Sequence, residues 1–125
     1  MIEQITWLGL CVYHESQGET FDGQVAVAHT ILNRVVQEDK SVKDVVLRPW
    51  QFSWANGNGG KKPITDPIAF INCMKAAEKC LEQRLDGFDF YGVDHYYSTD
   101  IPEPYWVQGM KKFVKQIGKH RFYKA

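Results

Sequence analysis

The strongest candidate for a catalytic residue is Glu15, which lies where an apolar helical face meets a glycine turn. Ile5, Leu8 and Val12 recur at three- and four-residue spacing, and Glu15 is the next position on that face. A carboxyl group on a core-facing stripe is partly desolvated, which raises its pKa and suits a general acid near neutral pH. The alternative is a solvated residue at a helix end, where the helix dipole disfavours a negative charge.

Length and charge restrict the classes of function. The chain has 125 residues, so we expect residues 1–125 to form one domain. Basic and acidic residues balance at 15 each, which argues against a nucleic acid as the partner. No run approaches membrane-spanning length, and the N-terminus lacks the basic start of a signal peptide. We therefore expect synthesis in a cytoplasm, no membrane insertion, and release by another route.

The remaining reactive side chains do not form a known metal or nucleophile motif. Cys11, Cys73 and Cys80 are odd in number and include no closely spaced pair, which predicts buried reduced thiols. His14-Glu15 begins like the zinc motif H-E-x-x-H, but Gly18 occupies the fifth position. We expect no metal and no cofactor.

Periodicity and capping residues predict a helical front of the chain. We expect helix one over about 3–15 and helix two from the N-cap Thr20 to about Val36. A short helix capped by Ser41 should end before Arg48-Pro49, and a loop should cover 51–63. The inner face of helix two is predicted to contain Val25, Ala28, His29, Leu32 and Val36.

The rest of the chain predicts one long helix and then strands. Asp66-Pro67 should open a helix that runs to about Leu85, with Ile71, Met74 and Leu81 on its inner side. The aromatic stretch 94–98 favours a strand, and 112–117 with 120–123 predicts a hairpin. Together these elements predict an α+β domain: a mainly helical front and a small C-terminal antiparallel sheet.

Aromatic side chains are the second chemical signal. Several lie near loops and strand ends, where an aromatic ring could stack on a sugar, although any single one more often closes the core. As a group they favour a glycan cleft. They are Trp50, Phe52, Trp54, Tyr96, Tyr97, Tyr105 and Trp106.

A glycan-cleaving enzyme usually pairs two carboxyl groups. Glu19 is the carboxylate nearest to Glu15 in sequence, and no sequence argument selects it over the other candidates. These are Asp22, Asp94, Asp100 and Glu103. One acid is enough if a hydroxyl of the substrate is itself the nucleophile.

Several motifs occur in a fixed order along the chain. The leading motifs are Tyr13-x-Glu15-Ser16-Gln17-Gly18-Glu19, Gly23-Gln24-Val25-Ala26-Val27-Ala28 and Asn33-Arg34-Val35. They are followed by Gln51-Phe52-Ser53-Trp54, Tyr96-Tyr97 and the closing run 117–122. This order resembles the SleB/CwlJ-like family of cell-wall hydrolases, the spore-cortex-lytic type. Ser16-Gln17 replaces the common Ala-Arg of that family, and the loop 55–62 is unusually rich in glycine.

This resemblance implies a lysozyme-like catalytic domain that cleaves peptidoglycan glycan strands. Its first glutamate maps onto Glu15, which would act as acid and then base in lytic transglycosylation at the MurNAc–GlcNAc bond. We predict Glu19 as a supporting carboxylate. We also predict that Asn33 and Arg34 anchor the end of helix two to a loop. The residues predicted to line the cleft are Gln51, Phe52, Ser53, Tyr96 and Tyr97.

The sequence is also compatible with two other functions. One is a hydrolytic muramidase or glucosaminidase that uses a second carboxylate, and the other is a non-catalytic glycan-binding module. A lone, leaderless catalytic domain also looks like a bacteriophage endolysin, so we expect a monomer that needs a holin to reach the periplasm and wall.

Overall fold

Helices form most of the fold in the computed structural model, which describes residues 2–48 and 51–125. Trp50, one of the aromatic candidates, and Pro49 lie outside the described residues. The predicted helices are confirmed to within about two residues. They are α1 (Ile2–Ser16), α2 (Phe21–Glu38), α3 (Val42–Leu47) and α4 (Pro67–Leu85).

Side-chain caps fix where three of these helices begin. Thr20 accepts a hydrogen bond from the N–H of Gly23 at 3.2 Å, and Ser41 caps α3 in the same way. Asp66 accepts from the N–H of Ala69 at 3.0 Å, immediately before the proline that opens α4. Each cap satisfies a backbone donor that has no partner within its helix, which is why the sequence signals located these starts.

A small antiparallel sheet follows the helices, as predicted. Its strands are β1 (His95–Ser98), β2 (Lys112–Ile117) and β3 (His120–Lys124), in the order β1-β3-β2. Tyr96 pairs with Phe122, and Ser98 pairs with His120. Short 3-10 helices at 53–55, 90–92 and 105–109 were not predicted. The α+β class is therefore confirmed.

Two predicted core positions are wrong. Val36 is 70% exposed because the continuous burial of α2 ends at Asn33. Ile71 is 54% exposed, and α4 instead buries Cys73, Ala76, Ala77 and Cys80. Small residues suit this face because α1 and α4 pack closely: a Cβ on Gly9 would lie 2.0 Å from the sulfur of Met74.

The end of α2 is anchored to the segment that leads into the sheet. The side-chain amide of Asn33 donates to the carbonyls of Asp89 and Val93, both at 2.8 Å. Its oxygen accepts from Arg84 at 2.8 Å. This confirms the predicted anchoring role of Asn33 and fixes the position of β1 relative to the helices.

The three thiols and the ring of Phe122 lie in the core. Cys11, Cys73 and Cys80 are buried and free, as expected. Phe122 is fully buried, whereas Trp106 is half-buried against Tyr123. Across the described ranges, no helix combines the length and apolarity needed to cross a bilayer.

Candidate active site

Glu15 lies in the last turn of α1, with its carboxyl group at the junction of the helices and the sheet. Leu8 and Val12 on the same face are buried, so the helix presents Glu15 at the edge of the core. Desolvation raises the pKa of Glu15, and the opposing effects of Tyr96, Arg34 and Lys62 do not cancel it. The raised pKa expected from the periodicity is confirmed.

Tyr96 on β1 is the hydrogen-bond partner of Glu15. Its hydroxyl donates to the Oε1 atom of Glu15, although the two residues are 81 positions apart in the chain. Burial and the nearby Glu15 carboxylate raise the pKa of Tyr96 well above its ordinary value, so this hydroxyl keeps its proton. The contact orients the carboxyl group and leaves its second oxygen for other partners.

Arg34 supplies a positive charge behind Glu15. Its Nε atom donates to the carbonyl of Asp94 at 2.7 Å, and its guanidinium lies 5.7 Å from the ring centroid of Phe52. The Nη1 atom is buried without a hydrogen-bond partner. The charge lowers the pKa of Glu15, which limits the effect of desolvation.

Glu19 lies after the turn that follows α1 and contacts the β2–β3 turn. Its Oε1 atom accepts from the backbone N–H of Lys119 at 2.7 Å and lies 3.1 Å from Nδ1 of His120. Gly118, at φ +56°, permits this approach, because a Cβ there would lie 2.9 Å from the same oxygen. Glu19 therefore attaches the hairpin turn to the helices.

His120 connects the two glutamates through Tyr96. It is buried on β3, and its ring packs edge-on against Tyr96 with centroids 5.2 Å apart. Burial lowers the pKa of His120, which favours the neutral imidazole at pH 7. Glu19, His120, Tyr96 and Glu15 consequently form one continuous contact chain across the site.

An open pocket of about 230 Å³ lies above this chain of contacts. Asp100 and Lys119 form an ion pair of 3.4 Å at its edge. The segment after Glu15 and the ends of β1 and β3 form its walls. The lining residues are His14, Glu15, Ser16, Gln17, Gly18, Glu19, Ser98, Asp100, Lys119 and His120.

The structure brings together some of the predicted site residues and separates others. Glu15 and Glu19 line the same pocket, and Tyr96 contacts Glu15. Tyr97 is on the opposite face of β1, where its ring stacks on Tyr123 at 6.1 Å. Adjacent residues of a strand point to opposite faces, so Tyr96 and Tyr97 could not both face Glu15.

The predicted segment 51–53 does not line this pocket. Gln51 accepts a hydrogen bond from Nε of Arg48 at 3.1 Å. Phe52 is buried beneath the guanidinium of Arg34, and Ser53 is exposed. Phe52 thus packs against the guanidinium of Arg34 and does not contact the pocket.

The sequence did not predict His120, Lys119 and Ser98 as residues of the site, yet all three line the pocket. They approach Glu15 through the strand register, in which Ser98 pairs with His120. The two-residue spacing of His120 and Phe122 on β3 does indicate that their side chains lie on the same face of the strand. Nothing in the sequence indicated that Lys119 would meet Glu19, 100 positions away. Within residues 2–48 and 51–125, no three His, Cys, Asp or Glu side chains form a metal-binding group.

This fold and site define a lysozyme-like α+β domain, as two solved structures show. The catalytic domain of the Bacillus cereus SleB protein is 28% identical, with a TM-score of 0.77, and the match covers 99% of this chain and 91% of that one. The catalytic domain of the germination-specific lytic transglycosylase SleB from Bacillus anthracis is 31% identical, with a TM-score of 0.73. That match covers 97% of this chain and 93% of the other.

The chain belongs to the cell wall hydrolase family, which it matches over residues 18–123. The spore cortex-lytic enzyme of Bacillus cereus is 32% identical over 116 residues, which are 90% of this chain and 41% of the relative. The spore cortex-lytic enzyme of Bacillus subtilis is 29% identical over 121 residues, which are 94% of this chain and 36% of that relative. The chain thus spans about two fifths of the length of these relatives. The predicted family and the lysozyme-like fold are confirmed.

Proposed function

We propose that this domain cleaves the MurNAc–GlcNAc β-1,4 bond of peptidoglycan as a lytic transglycosylase, with Glu15 as its acid and base. The observation that carries this proposal is the Glu15 carboxyl group itself. It lines an open pocket, its pKa is raised by desolvation, and the Tyr96 hydroxyl orients it. Membership of the cell wall hydrolase family supports peptidoglycan as the substrate.

The proposed reaction needs one carboxyl group in two successive roles. Protonated Glu15 gives its proton to the glycosidic oxygen as the bond from C1 of MurNAc breaks. The C6 hydroxyl of the same MurNAc then attacks C1, and the Glu15 carboxylate takes the proton of that hydroxyl. The product is a 1,6-anhydro ring, the proton returns to Glu15, and no water is consumed.

The contacts of Glu19 favour this single-carboxylate mechanism. Its Oε1 atom accepts a hydrogen bond from the Lys119 N–H and contacts His120, so Glu19 holds the β2–β3 turn at the pocket wall. A carboxylate held in this way is poorly placed to activate a water molecule. We therefore propose that Glu19 is a positioning residue for the site.

Hydrolysis of the same bond is the second candidate function, and the position of Asp100 favours it. Asp100 lines the same pocket as Glu15 from its outer edge, where it pairs with Lys119. Two carboxyl groups on one pocket are the arrangement of a glycosidase that activates water. In that case the products would have reducing ends.

Glu15→Gln tests whether the domain is an enzyme at all. We expect the loss of the acid to reduce the clearance of purified cell walls by at least ~100-fold. Glu3→Gln is the matched control, because it makes the same change at an exposed position in the first turn of the same helix. Wall clearance by Glu15→Gln at the wild-type rate would contradict both enzymatic functions and support the glycan-binding module. The endolysin role, the monomeric state and holin-dependent access to the wall stay predictions.

A further inference from the structure

A second surface groove lies away from Glu15, between β2 and the 3-10 turn Phe90–Gly92. Two adjoining cavities of about 410 and 200 Å³ form it, and both are lined by Tyr91, Lys112 and Val114. Lys124 lines the larger cavity, and Lys115 lines the smaller one. None of these residues lines the pocket above Glu15.

The cations of this groove are unusually placed. Lys112 and Lys124 are directly opposite each other in the β2–β3 ladder. Like charges at such positions destabilise a sheet. Lys115 lies roughly 10 Å further along the strand, on the same side as Lys112 because of the bulge between them.

No described carboxylate lies within 4.0 Å of these three ammonium groups, although Asp89 also lines the larger cavity. The surrounding segment 111–125 contains six basic residues and no Asp or Glu. The chain as a whole is neutral, so this concentration of positive charge is local. An anion bound in the groove would relieve the repulsion between the opposed lysines.

Tyr91 supplies an aromatic surface in the groove at a conformational cost. Its backbone is left-handed, at φ 59° and ψ 19°, yet its side chain is 63% exposed. Phe90 has a similar φ of 53°, but there the burial of the ring against Phe122 compensates. No comparable burial accounts for Tyr91, and strained residues of this kind concentrate at functional sites.

We propose that the groove formed by Tyr91, Lys112, Lys115 and Lys124 binds an anionic glycopolymer of the cell wall whose charges are phosphodiesters. An opposed pair of lysines, with a third lysine further along the same strand, suits a ligand that repeats an anion along its chain. The cations that line the groove are lysines, and a lysine ammonium is a point charge that can contact a phosphodiester oxygen from several directions. The exposed Tyr91 ring offers a flat face to a sugar or polyol unit. The groove would hold the protein on the wall independently of cleavage at Glu15.

Co-sedimentation with insoluble walls tests this proposal, with every protein in the Glu15→Gln background so that the walls stay intact. The two wall samples are native walls rich in phosphodiester glycopolymers and the same walls stripped of them with hydrofluoric acid. We expect the parent protein to bind native walls at least fivefold more tightly than stripped walls. The triple variant Lys112→Gln/Lys115→Gln/Lys124→Gln should bind both samples equally weakly.

The matched control is Lys40→Gln/Lys75→Gln/Lys79→Gln, which removes three exposed lysines elsewhere on the protein. It should bind like the parent. Equal binding of the parent to native and stripped walls would overturn the proposal, as would triple-variant binding equal to that of the parent. A weakening of the triple variant that persists on stripped walls would identify peptide carboxylates as the ligand and would also overturn it.

Tyr91→Asn tests the aromatic part of the groove. Asparagine tolerates the left-handed conformation, so folding should not suffer. We expect weaker binding to native walls with a Tm equal to or above that of the parent. Unchanged binding would exclude Tyr91 from the site.

Discussion

The hydroxyl of Tyr96 donates a hydrogen bond to the carboxyl group of Glu15, and this contact joins the last turn of α1 to β1. It fixes the orientation of the Glu15 carboxyl group and supplies a hydrogen-bond donor to a group that burial removes from water. It also favours the carboxylate form and so opposes the rise of the Glu15 pKa. The contact therefore couples the geometry of the site to its pH dependence.

Tyr96→Phe should shift the pH profile of wall cleavage. Loss of the donor raises the pKa of Glu15 further, so the acid stays protonated to a higher pH. We expect the basic limb of kcat/KM to move to higher pH and kcat to fall about tenfold, because the carboxyl group loses its orientation. Rates of soluble glycan cleavage measured between pH 4 and 9 check both effects.

Tyr97→Phe is the matched control for that experiment. It removes the same hydroxyl from the neighbouring position, which faces away from Glu15. Its pH profile should be that of the wild type. A shift of the basic limb to lower pH in Tyr96→Phe would contradict the proposed effect of this hydrogen bond.

Glu15→Gln should stabilise the fold at neutral and higher pH. The folded pKa of Glu15 is raised, so the wild type loses stability as the pH rises above the unfolded-state value and the desolvated anion forms. The amide is neutral and can still accept from Tyr96. We expect its Tm to exceed that of the wild type by about 2–5 °C at pH 8, with little difference near pH 3.5. A lower Tm of the variant at pH 8 would show that the charged form is favoured by the fold.

Glu19→Gln separates a positioning role from a catalytic one. The amide oxygen can still accept from the Lys119 N–H, whereas it cannot act as a base. We expect at least a tenth of the wild-type activity to remain, compared with a loss of at least ~100-fold in Glu15→Gln. A loss as large as that of Glu15→Gln, with an unchanged Tm, would instead make Glu19 a catalytic residue.

Gln24 holds the turn that follows Glu15, and Gln24→Leu should loosen it. Its amide nitrogen lies 3.2–3.3 Å from the carbonyls of Ser16, Gln17 and Glu19, at the end of α1 and in the turn that follows. We expect a loss of about 2–3 kcal/mol in the free energy of unfolding, measured by urea denaturation. Gln108→Leu changes an exposed glutamine and should cost less than ~0.5 kcal/mol. Equal stability of the two variants would contradict this role of Gln24.

The sequence predicted those features that depend on local patterns. The caps at Thr20, Ser41 and Asp66 and the helical face that ends at Glu15 are set by neighbours within a few residues. The partners of Glu15 and Glu19 depend instead on strand register and on contacts up to 100 positions apart. Tyr97 was predicted in the cleft because an aromatic pair does not indicate which ring faces inward until the register is known.

Mass spectrometry of purified peptidoglycan digested by this protein tests the central proposal most directly. A single acid and base at Glu15 predicts muropeptides that end in 1,6-anhydro-MurNAc, each one water lighter than a hydrolysis product. Glu3→Gln should give the same products, and Glu15→Gln should give almost none. Muropeptides with reducing ends would contradict the transglycosylase mechanism and direct attention to Asp100 as the residue that activates water.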